Sequence, residues 1–216
     1  MTRFIAVIAV LVCLNGCGGS GSDSSDSNRS NEITVSSTRS SPVDISVDKG
    51  NRVIWTNDTS SSIKIVSGTL EQVSKPVVRD DISCLSDGTF SPDSMDADLG
   101  DKIVWRNLSS KDAIAVEILN ASGKVIKSLP IEPSMTASFN AFPRAGKYTY
   151  RVAGSTKSGS LLLYGVPTPD GNFESIYLAN GRQYSTLLFQ PGVQNYYIVQ
   201  QNSTGRSCVT AKITVL

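Results

Sequence analysis

The stretch SPDSMDADLGDKIVWRN, Ser91–Asn107, repeats an earlier one, SPVDISVDKGNRVIWTN, Ser41–Asn57. Six residue types return at matching places: Ser41/Ser91, Pro42/Pro92, Asp48/Asp98, Gly50/Gly100, Trp55/Trp105 and Asn57/Asn107. Between them Arg52 answers Lys102, and Val53–Ile54 answers Ile103–Val104. Self-similarity at a fixed spacing means two copies of one structural unit. Val43, Ile45 and Val47 alternate with polar residues before the Asp48–Asn51 turn, which is strand periodicity, and Arg52–Asn57 is the next strand.

Outward from this pair the chain keeps the same character. Glu32–Ser37 alternates, and Ile63–Val66 follows the first copy. Around the second copy lie Ile82–Leu85, Ala113–Leu119, Val125–Leu129, Met135–Phe142, Lys147–Ala153 and Ser160–Tyr164, separated by Gly, Pro, Ser and Asn. No segment sustains a helical period, so an antiparallel sandwich is expected. After Thr168 the latter half of the unit returns. Phe189–Gly192 parallels Phe142–Gly146, Tyr196–Val199 parallels Tyr148–Val152, and Lys212–Leu216 parallels Leu161–Tyr164. The order is first half, first half, second half, second half. The expected fold is therefore all-β, with two Greek-key sandwiches, the second inserted into a loop of the first. Residues 76–165 would complete themselves, while 32–75 and 166–216 would complete each other. Two tandem domains with divergent ends are the alternative.

The 216 residues include 20 Lys plus Arg, 19 Asp plus Glu and no His. Residues 1–17 read as a targeting segment: Arg3 supplies the charge and Phe4–Leu14 an apolar run too short to span a bilayer. Removing Arg3 leaves 19 basic against 19 acidic residues, which gives no electrostatic case for nucleic acid. The end of this segment, Leu14–Cys17, resembles the bacterial lipoprotein signal, which implies a lipidated Cys17. An ordinary secretory leader is the other reading. Residues 18–31 are Ser, Gly, Asp and Asn with one Arg, a tether that buries nothing and spans roughly 20 Å as a coil. By the same resemblance, Gly18 after the cysteine implies the outer membrane, at its periplasmic face or the cell surface. Cys13 leaves with the leader. Cys84 and Cys208 remain as a pair in an oxidising compartment, so a disulfide between them is expected, with two free buried thiols as the alternative.

These residues resemble the cupredoxins, the blue-copper sandwich family of plastocyanin, amicyanin and pseudoazurin. The likeness rests on Phe90–Pro92, Gly100–Asp101 and Val104–Asn107 in one copy. In the other it rests on Gly50–Asn51, Trp55–Asn57, Ser67–Thr69 and Pro169–Ser175. It implies a copper site of two imidazoles, a thiolate and a weak axial ligand. The same resemblance places those four ligand positions on Ile63, Val199, Asn202 and Val209 in the outer unit. In the inner unit they fall on Ala113, Val152, Ser155 and Ser158. None of these is a copper ligand of the required type, and the chain has no histidine to substitute. No metal and no cofactor is expected.

Other constellations are weaker. Asp93, Asp96, Asp98 and Asp101 supply oxygens of the kind calcium takes, but alternate positions of a strand face opposite ways, so a solvated acidic edge is the plainer reading. The absence of histidine removes the Ser-His-Asp and Cys-His nucleophilic arrangements. Neither Ser109–Lys111 nor Ser155–Lys157 has the sharp turn of a nucleophile elbow. No catalytic residue is assigned. Tyr148, Tyr150, Tyr177, Tyr184, Tyr196 and Tyr197 are core packing or a binding face. Tyr196 and Tyr197 are adjacent and point to opposite faces of a strand, so one of them is the expected exposed aromatic.

The sequence thus points to a non-catalytic, copper-free envelope lipoprotein that binds or scaffolds another envelope protein or a surface ligand. A redox accessory that docks the partners of blue-copper carriers is the alternative from another class. A copper electron carrier lacks its ligands, and a calcium-dependent adhesion module rests on the acidic cluster alone.

Overall fold

The computed structural model describes residues 31–37, 40–201 and 207–216. Every regular element among them is a strand. The chain opens with β1 (Glu32–Val35), β2 (Ser40–Ser41), β3 (Asp44–Val47), β4 (Arg52–Asn57) and β5 (Ile63–Glu71). It continues with β6 (Ile82–Cys84), β7 (Phe90–Ser91), β8 (Ser94–Asp98), β9 (Ile103–Asn107), β10 (Ile114–Leu119), β11 (Val125–Ile131), β12 (Thr136–Phe139), β13 (Gly146–Val152) and β14 (Ser158–Tyr164). It closes with β15 (Val166–Glu174), β16 (Gln183–Leu187), β17 (Gly192–Gln200) and β18 (Val209–Val215).

Two sandwiches result, and they match strand for strand. The outer one, the host, pairs the sheets β16-β4-β1-β2 and β15-β5-β17-β18-β3. The inner one, the insert, pairs β12-β9-β6-β7 and β11-β10-β13-β14-β8. Each contains the same two parallel pairings: β1 with β4 and β3 with β18 in the host, β6 with β9 and β8 with β14 in the insert. Within the insert, β10 and β11 are joined by a short turn closed by Gly123 N–H to the Asn120 carbonyl at 2.9 Å. In the host the corresponding gap, between Glu71 and Val166, holds the whole insert. The host strands before and after the insert pair with each other, as the nested reading of the repeat order expects.

The alternation that marks a strand also fills the cores. Val53, Trp55 and Asn57 of β4 and Ile103, Trp105 and Asn107 of β9 are buried, while the residues between them are half-buried or exposed. Trp55 meets Tyr196 edge to face at 5.6 Å, and Trp105 meets Tyr150 the same way at 5.8 Å. Each of these large side chains contributes roughly 1.5–3 kcal/mol by leaving water. The matching contacts make Tyr150 and Tyr196 equivalent. One substitution separates them: Tyr196 pairs across the ladder with Ala211, Tyr150 with Gly159. A Cβ on Gly159 would lie 2.3 Å from the Tyr150 ring, so only glycine lets that ring lie flat over its neighbour.

The sandwiches share packing. Val66, Leu70 and Tyr197 of the host belong to the core cluster of the insert, and Leu162 and Tyr164 of the insert pack on the host cluster. The connecting segment is also pinned. Val73 N–H donates to the Leu99 carbonyl at 3.0 Å, and Lys102 N–H to the Val77 carbonyl at 2.9 Å. Gly100, at φ 105°, is closely approached by Gln72 and Pro76 of this segment.

Candidate functional site

In each sandwich an asparagine organises the pole where the family resemblance places its ligands. Asn57 Nδ2 donates to the Ser61 and Leu178 carbonyls at 2.9 and 2.8 Å, and its Oδ1 accepts from Thr59 N–H at 2.8 Å. Asn107 Nδ2 donates to the Asp112 and Ile131 carbonyls at 2.8 and 3.1 Å, and its Oδ1 accepts from Ser109 N–H at 2.9 Å. Both are buried, so these bonds satisfy polar groups that water cannot reach. The asparagine end of the repeat is therefore a device for holding the loop in front of β5 and of β10.

The described host positions behind those loops hold packing residues. In the host, Ile63 is fully buried, bridges Leu178 and faces the core; Val209 is buried opposite Ile198. Val199 is half-buried on the other face of β17, against the insert. Asn202 lies outside the described residues. In the insert, Ala113, Ser155 and Ser158 are partly or fully exposed, and Val152 packs on the insert core.

Strand pairing refines the match between the two poles. Ile65 opposes Ile198 and Val116 opposes Val152, so the counterpart of Val152 is Ile198, one residue before Val199. A shift of one residue moves a side chain to the other face of its sheet. Ile63 is likewise the counterpart of Ile114, because the loop after Asn107 is one residue longer than the loop after Asn57.

The donor chemistry at both poles does not fit a blue-copper centre. The side chains at the described ligand positions are aliphatic or hydroxyl-bearing, and the chain contains no imidazole. Among the described residues, no three His, Cys, Asp or Glu side chains gather. Asp101 of the acidic stretch has its oxygens taken by Val77 N–H at 2.8 Å, Arg79 Nε at 2.6 Å and Asp98 N–H at 3.0 Å. Burial opposes its charge, but these three partners outweigh it and hold the carboxyl below its ordinary value.

Two expectations need correction. Cys84 and Cys208 are free, buried thiols, not a disulfide. The Cys208 carbonyl lies beside Gly146, whereas Cys84 neighbours Asp87, which Lys157 ties to the far end of β13. From Gly146 to Arg151 the strand covers about 17 Å, at about 3.3 Å per residue, far beyond bridging distance. Burial raises both thiols, Cys84 with help from Asp87, and Cys208 to about 11 with help from Asp96. Neither is a ready thiolate at neutral pH.

The second correction concerns Tyr196 and Tyr197. They do face opposite sides of β17, yet both are buried, at 0% and 2% exposure. One side is the host core. The other is covered by the insert. Burial raises the Tyr196 hydroxyl to about 12. The exposed tyrosine is Tyr177, beside the strongly exposed Ile176 at the Ile63 pole.

With this geometry in hand, comparison with known proteins is limited. No family model matches the chain, and no curated protein matches it. Solved structures do. A purple cupredoxin from Nitrosopumilus maritimus is 20% identical, with a TM-score of 0.34, covering 39% of this chain and 99% of its own. A Cu(I) form of an amicyanin variant is 14% identical, with a TM-score of 0.33, covering 46% of this chain and 97% of its own. A copper-containing nitrite reductase from Thermus scotoductus is 8% identical, with a TM-score of 0.28, covering 86% of this chain and 98% of its own. The neighbours are cupredoxins. At these scores they carry no argument about activity. The fold, a pair of β-sandwiches of matching strand order, rests on the pairing described above.

Proposed function

We propose that this chain is a lipid-anchored bacterial envelope protein, held at the outer membrane through Cys17. Its two cupredoxin-like sandwiches form one copper-free, non-catalytic binding or scaffolding module for another envelope protein or a surface ligand. The observation that carries this reading is the filling of the host pole by Ile63 and Val209, in a chain without histidine. The framework of the fold is kept, and the described host positions where the resemblance would put its chemistry, Ile63, Val199 and Val209, carry side chains that pack. Shared packing through Val66, Leu70 and Tyr197 makes the pair a single body, which suits a module that presents surfaces. Fold alone does not assign function, so the reading is tested on partners.

The test is crosslinking in the native envelope, capture of the protein and mass spectrometry of what accompanies it. A reproducible stoichiometric partner, crosslinked to exposed lysines of one sandwich, is the expected outcome. An oxidoreductase as that partner would instead make the protein a redox accessory. Recovery of the protein alone would overturn the scaffold.

A further inference from the structure

The host pole opposite Ile63 has an apolar rim that the fold does not cover. Phe189 is 58% exposed, Val193 56%, Leu216 55% and Leu187 44%. Backbone pairing brings them to one end. The Phe189 ring lies 3.6 Å from the place a Cβ would take on Gly50, and Gly50 N–H donates to the Leu188 carbonyl at 2.7 Å. Lys49 N–H donates to the Leu216 carbonyl at 3.2 Å, Val193 opposes Thr214, and Leu187 opposes Arg52. The insert covers Tyr197 and Val199 farther along β17 and leaves this end open.

The chain enters the host at the same end. Ile54 N–H donates to the Asn31 carbonyl at 2.9 Å, and Glu32 lies level with Ile54 in a parallel pairing. Asn31, the first described residue, therefore lies at the end of β4 that carries Arg52 and the Gly50 turn. In sequence, Asn31 closes the polar stretch that begins after Cys17. A lipid on Cys17 would hold this pole, and not the Ile63 pole, toward the bilayer. The charged groups at the rim are Glu32, Asp48, Lys49 and Arg52, two of each sign, so the contact does not call for an anionic surface.

We infer that the rim formed by Phe189, Val193, Leu216 and Leu187 is a membrane-contact surface that seats the host sandwich on the lipid bilayer at its tether pole. The inference rests on the anchoring proposed above. An anchored chain makes the second contact intramolecular, so a rim too small to bind membranes unaided is enough once the lipid holds it close. Its side chains would enter the headgroup and upper acyl region, to a depth of about 5–10 Å. The Ile63 pole, with Ile176 and Tyr177, would then face away from the membrane.

The test uses the acylated full chain in phosphatidylcholine vesicles whose lipids carry bromine high in the acyl chain, a contact quencher of tryptophan. Trp55 and Trp105 are both 0% exposed and supply a constant background. Two variants add a reporter at exposed positions, Phe189→Trp at the rim and Ile176→Trp at the opposite pole. The expected result is loss of most of the added emission at 189, with a blue shift that persists at high salt, and no loss at 176. Co-flotation with the vesicles and the mass of the Cys17 peptide report anchoring separately. If the protein floats, carries acyl groups and keeps its emission at 189, the membrane-contact surface is wrong while the anchor stands. Equal quenching at both positions also overturns it, because the seating is then not oriented. If Cys17 carries no acyl group and the protein does not float, the anchoring reading fails and takes this inference with it.

Discussion

Arg79 Nε donates to Asp101 Oδ2 at 2.6 Å, and through this bond the segment that enters the insert is fastened to the β8–β9 turn. The corresponding turn of the host ends in Asn51, which is exposed. In both turns the backbone bond is the same: Asp101 N–H to the Asp98 carbonyl and Asn51 N–H to the Asp48 carbonyl, each 3.0 Å. What differs is that Val77 and Arg79 lie over Asp101. One turn of the repeat thus fastens the entering segment to the insert.

Asp101→Asn should lower stability by about 2 kcal/mol, the scale of a hydrogen bond to a charged group, and should expose the segment around Pro76 to proteolysis before either sandwich unfolds. Asp101 is held below its ordinary carboxyl value, so its contribution is complete above the unfolded value near 3.9 and is lost as pH falls through the lowered folded value. Chemical denaturation at several pH values should show the wild-type advantage over Asp101→Asn shrinking toward acid. An advantage that is flat between neutral and strongly acid pH would mean that the ion pair contributes nothing.

Asn57→Ala and Asn107→Ala should each cost about 1–3 kcal/mol per buried group left unsatisfied, because each strips partners from buried carbonyls. The two losses should be similar, since the bonds are the same in kind. Melting curves would check this, and a neutral substitution at either site would show that its loop does not depend on the asparagine.

Gly159→Ala and Ala211→Gly test the divergence beneath the two tyrosines. The added methyl at 159 must displace a ring that is 0% exposed, at a cost of about 1–3 kcal/mol. Removal of a methyl at 211 costs roughly 1 kcal/mol through lost packing and added chain freedom. Unfolding titrations should therefore show the larger loss from the smaller-looking change, the one at 159.

Both thiols should resist alkylation in the native protein at neutral pH and react fully once unfolded without reductant. Mass spectrometry should show adducts at Cys84 and Cys208. Protection that persists in denaturant, with a mass lower by two hydrogens, would restore the disulfide. The raised value of Cys208 adds a sign: stability is complete below the ordinary thiol value near 8.5 and declines as pH rises toward about 11.

Addition of copper(II) should produce no intense visible charge-transfer band, since that band needs a thiolate in the equatorial plane with two imidazoles. Its appearance would overturn the copper-free reading of both poles.

Much of the architecture was legible in the repeat. Trp55/Trp105 and Asn57/Asn107, at one spacing, define two equal units, and the order of their halves makes them nested, because a sandwich closes only when both of its sheets are present. The absence of histidine is a property of composition and needs no coordinates. Other features depended on tertiary packing. Alternation states that Tyr196 and Tyr197 face opposite ways, but not what covers each face; the insert covers the second. Cysteine count states that a pair exists, but the length of β13 keeps Cys84 from Cys208. The acidic run states that Asp101 carries charge, and only the fold brings Arg79 to it. The rim of Phe189, Val193 and Leu216 is scattered in sequence and is gathered only by strand register. Periodicity is local and survives in the sequence, whereas burial of a given face depends on which distant segment arrives there.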